Sequence, residues 1–121
     1  MNRWATIVIA ILGWAQIGMT RETKNELRVL FVGSPDSERG RSYVSFLRNH
    51  FANVESMSRT SFDPKQSEGC DVVLLDWPQS ERTAPEASPF GAKEAWGKPT
   101  VLLGSAGLLM AERWKVHGAY G

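Results

Sequence analysis

Cysteine is almost missing: of 121 residues only Cys70 carries a thiol. No intramolecular disulfide and no zinc site built on cysteine pairs can therefore form. Histidine is scarce too, with His50 and His117 alone, too few for a convincing metal cluster; no metal is expected, and no cofactor. An excess of one charge is also lacking. Lys plus Arg number 14 against 13 Asp plus Glu, for a net charge of +1. Binding to a phosphate backbone needs clustered excess cation, so nucleic acid is not an expected partner. Acidic tails and polybasic membrane-surface segments are absent for the same reason. The uncharged stretch 5–19 falls short of the about 20 residues that span a bilayer as a helix. What remains is a globular composition, 42% hydrophobic and 22% charged, in a length suited to one domain.

The first residues differ from the rest. Arg3 precedes an apolar run, Ala5 to Leu12, followed by Gly13, Trp14 and Ala15. Small residues on either side of Trp14 are the pattern of a secretory cleavage site between Ala15 and Gln16. Residues 1–15 therefore read as a signal peptide, 16–26 as a linker and 27–121 as the folded domain, and the expected location is periplasmic or secreted. The other readings are a buried first strand, Ile7 to Leu12, and an uncleaved anchor, through which alone a membrane would be met. Cleavage removes one charge, Arg3, and leaves 13 of each sign.

Beyond the linker, Leu27 to Val32 is β-rich and ends at Gly33, as a strand buried on both faces would. Ser34 is a candidate helix cap with Pro35 at the first helical position, and Asp36 and Glu38 suit a helix N-terminus. The helix is expected to run to about Phe51. Tyr43, Val44, Phe46, Leu47 and Phe51 form its apolar face. Val54 to Met57 reads as a second strand, Ser58 to Gly69 as a loop or short helix, and Val72 to Leu75 as the clearest strand. Residues 77–98 read as a long loop with one short helix near Phe90 to Trp96. Lys98 to Leu103 forms another buried strand, and Gly104 to Gly107 a tight turn. A last helix from about Leu108 to Val116 has Leu108, Met110, Ala111 and Trp114 inward and Gly118 as its stop. This alternation is that of an α/β fold, a parallel sheet between helices. A helix ending at Gly118 normally feeds a further strand, so the domain reads as truncated or unusually small.

Several segments resemble, in order, the class I glutamine-amidotransferase-like superfamily of the PfpI and ThuA kind. There a G-K-P opening leads a strand into a nucleophile elbow, and a helix and a K-G pair follow. Gly97-Lys98-Pro99 through Glu112 is similar to that opening, strand and helix, and Trp114 to Gly118 to the closing pair. Cys70 to Asp76 and Leu27 to Ser34 resemble two earlier strands. The resemblance implies a flavodoxin-like, three-layer fold with helices on both faces of the sheet. It also puts Gly104 where the nucleophilic Cys of the family stands, with Ser105 one residue late. Glycine offers no nucleophile, so the expected function is a non-catalytic binding or interaction module with a small-molecule or protein partner. The alternative is a divergent hydrolase using Ser105 or a metal-bound water. Ser105 as a nucleophile needs the elbow position and a base within reach; as a cap it needs neither.

Ligands of open parallel sheets bind outside the carboxyl ends of the strands. That places Ser34, Asp36, Asp76, Trp77, Gly104 and Ser105 as the candidate binding residues. Asp71 to Asp76 also resembles the phosphoacceptor strand of response-regulator receivers, although the acidic pair and the late Lys of that family are missing; otherwise Asp76 caps its loop. Ser34, Ser37 and Gly40 could cradle an anion or merely cap a helix. Trp77, Trp96 and Trp114 suit either a pocket lining or core packing. Cys70 reads as a buried, inert thiol.

Overall fold

The computed structural model describes residues 23–81 and 87–116. Four strands form one sheet: β1 (Asn25–Gly33), β2 (Phe51–Ser58), β3 (Val72–Trp77) and β4 (Thr100–Gly104). Their order is β2-β1-β3-β4, and every pairing is parallel. Among the described residues two α-helices accompany the sheet, α1 (Glu38–His50) and α2 (Ala106–Trp114). The expected flavodoxin-like α/β architecture is what forms. The proposed leader and linker residues up to 22, and His117 and Gly118, lie outside the described residues. Asn25 and Glu26, expected in the linker, already belong to β1.

Period-two alternation in the strands sorts the core into two layers. Val29 and Phe31 of β1 pack against Val44 and Leu47 of α1 on one face. Leu30 and Val32 point to the other face, with Val73, Leu75 and Trp77 of β3, Phe90, and Ala106, Leu109 and Met110 of α2. The helices thus lie on opposite faces of the sheet. Phe90 stacks on Trp96 at 4.1 Å between ring centroids and meets Phe62 edge-on at 5.8 Å. Two short turns of 3₁₀ helix, Arg59–Ser61 and Pro64–Ser67, occupy the expected polar loop.

Several local expectations need correction. The cap of α1 is Ser37, whose side chain accepts the Gly40 amide, and not Ser34. Ser34 instead supplies the carbonyl that anchors Ser37. Phe46 and Leu108, assigned to inner faces, are 59% and 65% exposed. Around the helix Phe46 lies on the side away from Val44, and Leu108 on the side away from Ala106 and Met110. The helix expected near Phe90 to Trp96 is a single 3₁₀ turn, Lys93–Ala95. β4 is parallel as expected but is not a buried strand: Val101 and Leu102 are exposed. It lies at the edge of the sheet, and no described helix covers β3 and β4 on the α1 side. There Leu27, Leu47, Phe51, Val72, Leu74, Pro99 and Val101 line an apolar groove of roughly 470 Å³.

At the amino ends of the strands, Arg28 and Asp71 tie β1 to β3. The Arg28 amide and Nε donate to Asp71 Oδ2 at 2.8 and 3.2 Å, and Nη2 to Oδ1 at 3.1 Å. These bonds, with the adjacent positive charge, hold the Asp71 carboxyl down at about 2 against its usual 3.8. A carboxyl with a depressed folded pKa contributes stability above its unfolded value and loses it as pH falls through the folded one. The stability difference between the native chain and Asp71→Asn is therefore expected to be full above about pH 4 and to shrink towards about pH 2. Urea unfolding at both ends of that window measures it; a pH-independent difference would contradict it.

Candidate functional site

The order β2-β1-β3-β4 creates a switch point between β1 and β3. The chain leaves β1 into α1 on one face, while the β3–β4 connection sends Phe90 to the other. A crevice at the carboxyl ends of such strands is where open α/β sheets bind ligands. The residues gathered there are Ser34 after β1, Arg39 in the first turn of α1, Arg59 after β2, Asp76 and Trp77 at the end of β3, Gln79 and Glu81 beyond it, and Gly104 and Ser105 after β4.

Asp76 is 2% exposed. Its side chain projects to the α1 face, opposite to Trp77 one residue on. There the Arg39 guanidinium grips it with a fork, Nη2 to Oδ1 at 2.8 Å and Nε to Oδ2 at 2.9 Å. The hydrogen bonds to Asp76 also raise the Arg39 pKa. Asp76 therefore does not cap its loop. As a phosphoacceptor it would have to meet its donor in solvent, and burial beneath Arg39 opposes that.

A second ion pair closes the crevice. Ser34 Oγ donates to Glu81 Oε2 at 2.8 Å, and Arg59 Nη1 donates to the same oxygen at 3.1 Å. The Arg59 side chain is only 10% exposed and lies over the Trp77 ring, 4.2 Å from its centroid. Trp77 itself is core, 3% exposed, and its indole Nε1 has no hydrogen-bond partner among the described residues. Buried indole donors ordinarily find one.

Gly104 has φ +64°, the left-handed backbone that an elbow demands of its central residue. A Cβ built there would stand 2.8 Å from the Trp77 carbonyl oxygen and 3.2 Å from an Arg39 guanidinium nitrogen. The space into which an elbow side chain would project is thus taken by the neighbouring strand. Ser105 occupies the N-cap position of α2 but makes no capping bond. Its hydroxyl donates to Gln79 Oε1 at 2.6 Å, an amide oxygen that cannot act as a general base.

Asp36 does not join this group. It borders a groove on the far flank of α1 with Arg41, Arg48 and Ser56, and its carbonyl accepts from the Arg41 guanidinium. Trp96 and Trp114 pack around Phe90, so the three tryptophans do not form one pocket. Cys70 is buried, and burial pushes its thiol pKa up, away from reactivity. His50 packs at a tilt against Phe46 at the end of α1, remote in sequence and element from the crevice.

Sequence reading missed Arg39, Arg59, Gln79 and Glu81. One signal was available for Arg39. A cation in the first turn of a helix opposes the macrodipole, which points to a carboxylate partner elsewhere. Nothing local marks Arg59 or Glu81, because their pairing spans the ends of two separate strands. Comparisons with protein-family models, with curated proteins and with solved structures return no match to this chain.

Proposed function

We propose that this chain is a non-catalytic binding module of the amidotransferase-like kind, exported after cleavage at Ala15, with its ligand crevice at the carboxyl edge of the sheet. The observation that carries this reading is the elbow-shaped backbone at Gly104 with no nucleophile and no room for one. Ser105, the residue a divergent hydrolase would use, donates to an amide oxygen instead of a base. What the edge offers is recognition chemistry: two guanidinium groups, a hydroxyl and a buried indole donor.

Exported protein beginning at Gln16 is expected to show no labelling of Ser105 by serine-directed acylating probes and no esterase or amidase turnover above background. Ser105→Ala is expected to change stability by no more than about 0.5 kcal/mol, since no cap is lost. Mass spectrometry of the probe-treated chain reads both the N-terminus and the modification. Labelling that disappears in Ser105→Ala would establish the hydrolase instead.

A further inference from the structure

We infer that Ser34 and Arg59 form a carboxylate-binding site that Glu81 occupies from within the same chain. This rests on the binding reading of the carboxyl edge and names the ligand class.

The site is assembled from the ends of two adjacent strands. Ser34 follows β1, Arg59 follows β2, and β1 pairs with β2 up to Gly33 and Ser58. The hydroxyl and the guanidinium converge on one oxygen, Glu81 Oε2, from 2.8 and 3.1 Å. Arg59 is not a solvated surface cation. Its side chain is nine-tenths buried, one face lies on the Trp77 ring, and Nη1 also reaches the Asp76 carbonyl at 3.4 Å. A guanidinium so fixed loses little further freedom on binding a carboxylate, and its planar fork suits that geometry. Arg59 and Glu81 both sit in three-residue 3₁₀ turns, but the Glu81 side chain is one-third exposed where that of Arg59 is one-tenth exposed. The rigid partners are the receptor and the exposed one is the replaceable occupant.

The second pointer is Trp77 Nε1, which has no partner among the described residues, a buried donor in the ring on which Arg59 rests. The location is the third: ligands of open α/β sheets sit at the switch point, and Ser34 and Glu81 stand on either side of it. Asp76 does not compete for Arg59 through its carboxylate, because Arg39 already engages both oxygens. An incoming carboxylate therefore exchanges for Glu81 with no change in the number of charge-assisted bonds, and Glu81 moves into water.

An internal occupant reduces apparent affinity by the fraction of molecules in which it has swung away. Glu81→Gln removes the competing charge. Acetate titration followed by NMR at the indole N–H resonances, with the Trp77 signal assigned through Trp77→Phe, is the test. Acetate is expected to shift the Trp77 signal at concentrations at least about tenfold lower in Glu81→Gln than in the native chain. Glu81→Ala should behave alike, and the dispersion of the same spectra reports whether each variant is folded. Adding Arg59→Gln to Glu81→Gln should abolish the shift. A peptide with a free C-terminal carboxylate, set against its C-terminal amide, distinguishes a peptide end from a free small acid as the source. Folded Glu81 variants that bind acetate no better than the native chain, or binding that survives Arg59→Gln, would overturn the proposal. Neither outcome bears on Ser105 labelling, so the two readings fail separately.

Discussion

Gly40→Ala is expected to destabilise the domain by about 2 kcal/mol or more, although alanine is the better helix former. Gly40 lies in the first turn of α1 and gives its amide to Ser37 Oγ at 2.9 Å. The chain before the helix curls back so tightly that a Cβ on residue 40 would fall 1.9 Å from the Ser34 carbonyl oxygen and 2.9 Å from Pro35 Cα. These are backbone atoms, so no side chain can rotate away. Relief requires moving the Ser34–Ser37 turn, which holds the Ser37 cap and places the Ser34 hydroxyl. Alanine gains about 1 kcal/mol in helix propensity over glycine, less than the cost of displacing a packed backbone. Gly69→Ala is the control, because a Cβ there meets nothing within 4 Å. Denaturant midpoints of the two variants decide the matter. Equal, small shifts would mean that the turn yields freely.

Arg39→Met is expected to cost about 1–3 kcal/mol, the penalty of leaving a buried acceptor without its partner, below the range for a pair buried on both sides. Arg39 itself is 42% exposed in its side chain, whereas Asp76 is 2% exposed, so the penalty falls on the carboxylate left behind. Methionine keeps an apolar stem beside Tyr43, over whose ring the guanidinium lies at 5.3 Å, which isolates the electrostatic loss. Arg59 cannot substitute, since it reaches only the Asp76 carbonyl and Glu81. Arg39→Lys retains charge but loses the fork, and should fall between the two. Adding Asp76→Asn to Arg39→Met should recover part of the loss. Equilibrium unfolding of the set forms a double-mutant cycle; a cycle without coupling would show that Arg39 does not stabilise Asp76.

The alternation of short apolar runs with helical segments was enough to read an α/β sheet from the chain. Val72 to Leu75, framed by Asp71 and Asp76, and Leu27 to Val32 were legible because a strand covered on both faces is a continuous apolar run. Gly104 was legible as the start of a tight turn, since Gly-Ser-Ala-Gly after such a run favours one, while its left-handed φ of +64° is visible only in the structure. Faces were harder. Phe46 is at helical spacing only from half-buried Tyr43, and stands one and two residues from buried Leu47 and Val44, while Leu108 stands one residue from Leu109 and two from Ala106 and Met110; both point outward, because an apolar side chain beside a stripe is not on it. Val101 and Leu102 carry a buried-strand composition in an edge strand for the same reason: composition does not report the neighbour.

The sequence by itself determined the four strands and two longer helices, the parallel sheet and the glycine at residue 104, all of which follow from local pattern and residue type; the short turn near Phe90 and the cap of α1 did not. Only the tertiary structure decided which groups meet at the carboxyl edge. Arg39 with Asp76 is separated by 37 residues, Arg59 with Glu81 by 22 and Ser34 with Glu81 by 47. Such pairings arise from strand order, since β1 lies between β2 and β3 although β2 precedes β3 in the chain. Local propensity acts over one or two turns of helix or a single strand, and it carries no information about which strand ends become neighbours.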